Sequence, residues 1–240
     1  MTRKIKLSAM LFLSVLTVMP QSAHAEKRKL LVGGFQDIIV DGDMKVIVTT
    51  GKGPSGIASG DRRILDLLKL DRISDVMTVR VQQPPNNENG ARVSEPLVIT
   101  LTNQNIRNIT VLGNAQLEVS AVDQLGVARI FMNGGGSVNI GQYKADLLNV
   151  GLFGTGSVTF GSGNVRETNL RIQGAPRYNG SALKSRKFSV ELDGNGIVAA
   201  QVDEGAIISN QGSGNITITG RAECLIRKAG FATITCPKDK

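Results

Sequence analysis

The chain has 240 residues, 28 basic against 20 acidic side chains for a net +8, one histidine and no tryptophan. That histidine, His24, falls in a stretch expected to be removed. The mature chain then has no imidazole for Ser-His-Asp or Cys-His nucleophile pairs, or for metal sites that need one. No basic–aromatic interleaving or recognised motif points to nucleic acid.

Residues 1–25 carry Arg3, Lys4 and Lys6, an apolar run from Leu7 to Met19, Pro20, and Ala23-His24-Ala25 as a small-x-small site. This is the pattern of a secretory signal peptide cleaved after Ala25, with an apolar run too short to span a membrane. No later stretch is long and apolar enough to cross a bilayer, so the expected product is exported, either periplasmic or secreted to the cell surface. Loss of three basic residues takes the balance to 25 against 20, a net +5. An exported protein with that balance suits anionic surface polymers or lipid headgroups, although the even scatter of charge reads more simply as a solvated surface.

Residues 33–50 read as a hairpin, with Phe35, Ile38 and Val40 leading into Asp41-Gly42 and Met44, Val46 and Val48 alternating on the way out. Gly51 to Gly60 is a glycine-rich loop. Ile64, Leu67 and Leu68 stand at i, i+3 and i+4, which predicts a short helix, and Val76–Val81 alternates as a strand. Gln83–Gly90, with Pro84-Pro85, is a polar break; alternation resumes at Leu97, Ile99 and Leu101. The expected division is a leader over 1–25, a small β-rich segment with one short helix over 26–95, and repeats over 96–240.

Within the repeats a glycine returns as Gly113, Gly134, Gly154, Gly174, Gly194, Gly212 and Gly230, at spacings of 21, 20, 20, 20, 18 and 18. Four positions before stand Ile109, Ile130, Val150, Leu170, Val190, Ile208 and Ile226; four after stand Leu117, Val138, Val158, Tyr178, Val198, Ile216 and Ile234. Constant apolar offsets on both sides mean one unit stacked many times. Period-two alternation on each arm gives strands that turn one face to a core, and the glycines permit positive φ at the corners. The predicted fold is all-β, a parallel β-helix with coils of about twenty residues. Consecutive antiparallel hairpins in a sandwich would explain the alternation but not the fixed offsets. Cys224 and Cys236 lie six before and six after Gly230, both inward offsets. They are expected to form a disulfide that caps the open end of the stack in an oxidising compartment.

Gly34-Phe35-Gln36-Asp37-Ile38 and the corners Leu112-Gly113-Asn114-Ala115, Gly134-Gly135-Gly136-Ser137-Val138, Phe153-Gly154-Thr155-Gly156-Ser157-Val158, Gly194-Asn195-Gly196 and Gln211-Gly212-Ser213-Gly214-Asn215 carry a resemblance. From about residue 33 to 236 the chain resembles the putative auto-transporter adhesin, head GIN domain family of exported bacterial proteins. The resemblance implies a right-handed parallel β-helix and a role in adhesion at the cell envelope, with no catalytic residues to carry over. Gln173-Gly174-Ala175-Pro176-Arg177-Tyr178 departs from the pattern by lacking the second glycine, which puts the register of that coil in question.

Parallel β-helices also host polysaccharide lyases and hydrolases, whose sites use clustered carboxylates, often with calcium. Asp123, Asp146, Glu167 and Asp203-Glu204 fall on one edge of the expected stack, near Arg129, Lys144 and Arg166. Asp123 and Asp146 are the candidate pair for a cation, and solvated turn residues exchanging surface charge explain them as well. Three sequons, at Asn108, Asn179 and Asn215, read mostly as strand residues beside β-favouring threonines. The glycine corners lack the features of phosphate loops, and Tyr143 and Tyr178 are few for sugar stacking. The reading is a non-enzymatic exported envelope protein without cofactors, adhesin-like or a binding scaffold, presenting β-helix faces to an envelope polymer, glycan or protein. The alternatives are a carbohydrate-active enzyme of the polysaccharide lyase type and a purely structural envelope component.

Overall fold

Alternating Ile, Val and Leu on both sides of each glycine dictate short strands that bury one face, and the structure stacks those strands in parallel. It is a computed structural model describing residues 25–82, 96–228 and 230–237. The expected leader through His24 and the polar break over 83–90 lie outside these residues.

In chain order the elements begin with β1 (Glu26–Leu30), β2 (Asp37–Asp41), β3 (Lys45–Thr50), β4 (Ser55–Gly60), α1 (Arg62–Leu65), β5 (Leu68–Ile73), β6 (Val76–Val81), β7 (Val98–Asn103) and β8 (Asn108–Gly113). Five long strands follow: β9 (Gln116–Gly134), β10 (Ser137–Gly154), β11 (Ser157–Gly174), β12 (Arg177–Gly194) and β13 (Ile197–Asn210). β14 (Asn215–Gly220), β15 (Glu223–Lys228) and β16 (Thr233–Thr235) complete the series.

The parallel β-helix expected from the glycine offsets is formed, with about six turns. The residues four before each glycine are direct neighbours from coil to coil: Ile109, Ile130, Val150, Leu170, Val190, Ile208 and Ile226. Those four after it stack as Leu117, Val138, Val158, Tyr178, Val198, Ile216 and Ile234. Such ladders repeat at about 4.8 Å, so one apolar column runs through the molecule.

Between its two arms each coil has another side, the second in chain order, that the alternation did not show. In β10 the inward residues are Val138 and Ile140, then Tyr143 and Ala145, then Leu148, Val150 and Leu152. The inward phase slips by one residue between Ile140 and Tyr143 and again between Ala145 and Leu148, where the chain bends at Gly141 and Asp146. Tyr143, Phe160, Tyr178 and Phe188 meet inside as an aromatic run, with successive centroids 5.3, 5.7 and 6.0 Å apart.

At the main corner the glycines form their own column. Gly113, Gly134, Gly154, Gly174 and Gly194 all adopt positive φ, from 76 to 138°. A Cβ on Gly154 or Gly174 would lie 2.6 Å from the carbonyl oxygen of the glycine one coil earlier. Gly212 and Gly230 fall outside the positive-φ set yet meet the same crowding, so close backbone approach holds glycine there. The corner backbone also links coils: the N–H groups of Thr155 and Gly156 both donate to Gly134 O at 3.0 Å.

The coil at Gly174 is in register, with Ser157 opposite Arg177 and Gly174 opposite Gly194. Pro176 replaces the second glycine, and its carbonyl accepts from Ile197 N at 2.9 Å. The irregularity lies farther on, between Gly180 and Lys184 and between Ser185 and Lys187, where β12 meets the shorter β13. The drop in glycine spacing from 20 to 18 is absorbed at these bends.

The hairpin expected over 33–50 is not formed. β2 pairs in parallel with β6 and β8, and β3 with β7 and β9, rather than with each other. Asp41-Gly42 is therefore a solenoid corner, with Gly42 at φ 119° directly beneath Gly113. Ile38 and Val46 extend the two ladders downward, and Met77 and Ile99 extend them by one more rung. That last rung, β6 and β7, comes later in sequence than the rung it supports. The helix is also shorter than predicted: Asp61 caps it by accepting from Arg63 N at 3.0 Å, it ends at Leu65, and Leu68 opens β5.

The two ends differ. β5 covers the edge of β6 and β4 that of β7, both antiparallel, and β1 adds to β4. At the other end, among the described residues, β15 pairs only with β13 and β16 only with β14. There Cys224 and Cys236 form the expected disulfide, Cα atoms 6.5 Å apart, tying the third side of the last coil to the segment beyond β16.

Candidate functional site

A column with a continuous apolar interior leaves its outer faces as the places where chemistry can differ, and each side presents rows of outward residues set by the register. The first side carries Glu118, Asn139, Thr159 and Asn179 in one row, with Lys45 bonding Glu118 at 2.8 Å. The second side carries Asp123, Lys144, Asn164 and Lys184. The third carries three rows side by side: Arg129, Asn149, Asn169 and Ser189; Phe131, Gly151, Arg171 and Glu191; and Asn133, Phe153, Gln173 and Asp193.

The candidate carboxylates sit on adjacent coils but are engaged separately. Lys144 Nζ stands 3.9 Å from Asp123 Oδ1, while Asp146 accepts the Gly126 N–H at 2.9 Å. Arg186 pairs with Glu204 at 2.6 Å. Among the described residues no three His, Cys, Asp or Glu side chains cluster as a metal site would require.

Tyr143 and Tyr178 lie inside the column, each 1% exposed, and present no ring to a ligand. Burial pushes both phenols above their ordinary pKa, and the Tyr143 charge adds to the rise at Tyr178. The Tyr143 hydroxyl has no hydrogen-bond partner among the described residues. Of the sequons, Asn108 is engaged on both amide atoms, donating to Asp37 at 3.0 Å and accepting from Arg129 N at 3.0 Å.

The third side holds a trough of about 430 Å³ that the alternation did not flag. Gly151 forms its floor, standing in the ladder between Phe131 on the coil before and Arg171 on the coil after. The rings of Phe131 and Phe153 lie 5.4 Å apart beside Gly151, so that a Cβ there would come within 3.3 Å of Phe153 and 3.4 Å of Phe131, and of the two rings Phe131 lines the trough. On the other flank Asn169 donates to Asn149 at 3.4 Å. Arg171 stands 3.9 Å from Glu191, and the Arg129 guanidinium makes no ion pair among the described residues. The signal was present in the sequence as two phenylalanines and a glycine at outward offsets.

A capped parallel β-helix with open polar faces defines a class of rigid extended scaffold. The chain belongs to the family described as putative auto-transporter adhesin, head GIN domain, whose profile matches residues 34–222. Among solved structures it is similar to a putative adhesin from Bacteroides fragilis, at 18% identity and TM-score 0.72, over 89% of this chain and 97% of that one. A putative adhesin from Parabacteroides merdae shares 16% identity at TM-score 0.66, over 90% and 97% of the two chains. A putative lipid binding protein from Parabacteroides distasonis shares 15% identity at TM-score 0.62, over 90% and 98%. At these identities the likeness is one of fold. No curated protein matches the chain.

Proposed function

We propose that the mature chain is a non-enzymatic, exported envelope protein that binds an envelope polymer, glycan or protein through the outer faces of its β-helix. The observation that carries the reading is the column itself. Its ladders hold rows of outward side chains at a fixed spacing of about 4.8 Å on a scaffold stiffened by coil-to-coil hydrogen bonds, which suits a repetitive partner. Family membership supports adhesion, and among the described residues no helix is long and apolar enough to cross a membrane. β1 begins at Glu26, so cleavage after Ala25 leaves every described strand intact.

The test is co-sedimentation of the exported protein with isolated envelope polysaccharide and envelope protein fractions, beside a turnover assay on acidic polysaccharide with calcium. Saturable binding without product formation is expected. Turnover that disappears in Asp123→Ala and Asp146→Ala would overturn the reading in favour of an enzyme. N-terminal sequencing of the exported protein should begin at Glu26; an intact Met1 would contradict the export route.

A further inference from the structure

We infer that the trough over Gly151 binds a carboxylate-bearing saccharide chain, lying across neighbouring coils with a sugar ring seated against Phe131. This deepens the envelope-binding reading and rests on it.

The chemistry of the trough is mixed in a way that matches one kind of ligand. A pyranose ring has an apolar C–H face and a rim of hydroxyls, so it needs an aromatic surface flanked by groups that both donate and accept hydrogen bonds. Phe131, 39% exposed, lines the trough and gives the aromatic surface, backed by Phe153 at 5.4 Å, and the planar amides of Asn149 and Asn169 give the donors and acceptors. A purely apolar ligand would desolvate the Arg129 guanidinium and the remaining donors and acceptors of the two amides without replacing their hydrogen bonds, which is costly.

Charge selects an acidic chain over a neutral one. Arg129 has no acidic partner among the described residues, and Arg171 is held only loosely by Glu191 at 3.9 Å. Guanidinium binds carboxylate through paired, charge-assisted hydrogen bonds. Arg129 and Arg171 lie two coils apart, on the order of 10 Å along the column, so an extended chain can meet both while its ring covers Gly151. The net positive balance of the chain favours the encounter with an anionic polymer.

Gly151 is what keeps the trough open. Its φ is not in the positive region, unlike that of Gly134, Gly154 and Gly174, and the nearest atoms to a new Cβ belong to the two phenylalanine rings and not to backbone. A side chain there fills the trough without straining the backbone.

The experiment is a titration of the mature protein with polygalacturonate, alginate and hyaluronan, with dextran as the neutral control, at low and moderate salt. At least one acidic polymer should bind and dextran should not. Gly151→Val should weaken that binding by about tenfold or more, as expected when an aromatic contact surface is blocked. Arg129→Gln should weaken it and flatten its salt dependence. Both variants should melt like the wild type. Wild-type affinity in Gly151→Val, or equal binding of dextran, overturns the assignment. If no acidic polymer binds while the envelope fractions still do, this trough is wrong and the scaffold reading stands. If nothing binds, the scaffold reading falls as well.

Discussion

Replacing Gly154 by alanine tests the glycine column at one atom. Gly154 sits at φ 107°, which costs a residue with a Cβ about 1–3 kcal/mol. The new Cβ would lie 2.6 Å from Gly134 O, the oxygen that accepts from both Thr155 N and Gly156 N at 3.0 Å. Moving that carbonyl weakens two hydrogen bonds worth about 0.5–1.5 kcal/mol each. The combined loss is about 2–6 kcal/mol, which for a chain of this size lowers Tm on the order of 10 °C. Gly205→Ala is the matched control, because nothing lies within 4 Å of its Cβ and its φ is not positive. Thermal melts followed by circular dichroism should show a large fall for Gly154→Ala and little change for Gly205→Ala. Equal losses in the two variants would refute the column.

Tyr143→Phe removes a buried hydroxyl without a partner among the described residues, so it should leave stability unchanged or raise it by about 1 kcal/mol in a denaturant titration. Because burial raises both phenols, native stability should hold up to about pH 10 and fall above it as the unfolded tyrosines ionise first. Tyr178→Phe should extend the alkaline limit, and an unchanged limit would contradict the linkage. Thr168 and Ser185 face each other in the interior with oxygens 2.9 Å apart. Thr168→Val alone should cost about 1–3 kcal/mol by stranding Ser185, whereas the double variant with Ser185→Ala should recover most of that loss. Reducing Cys224–Cys236, which closes a loop of sequence separation 12, should remove about 3 kcal/mol. The lost hydrogen-exchange protection should be confined to β15 and β16, as expected of a stack with nearest-neighbour coupling; loss spread through β9–β12 would contradict the cap.

The ladders were legible in the sequence because each depends on a local offset from a glycine, repeated without exception from Ile109 to Ile234. The second side was not, because its inward positions follow bends at Gly141 and Asp146 and hold dissimilar residues: Val122, Tyr143, Gly163 and Leu183 share one position. Asp41-Gly42 has the local chemistry of a hairpin turn and of a solenoid corner alike. What decides between them is pairing with β8 and β9, whose corner glycine lies 71 residues on, and short-range pattern carries no information about that distance. The disulfide was legible from offset alone. The trough was not, since only coil stacking sets Phe131 beside Gly151 and brings its ring against Phe153.

The central claim is that outer faces bind while the column only holds them in place. One charge-changing variant on each side tests it: Thr159→Lys on the first, Asn164→Glu on the second and Asn169→Glu on the third, each assayed for binding to the envelope fraction and for Tm. The account predicts that all three melt like the wild type and that binding is lost on one face alone, the third. Undiminished binding in all three, or binding that follows Tm, would contradict it.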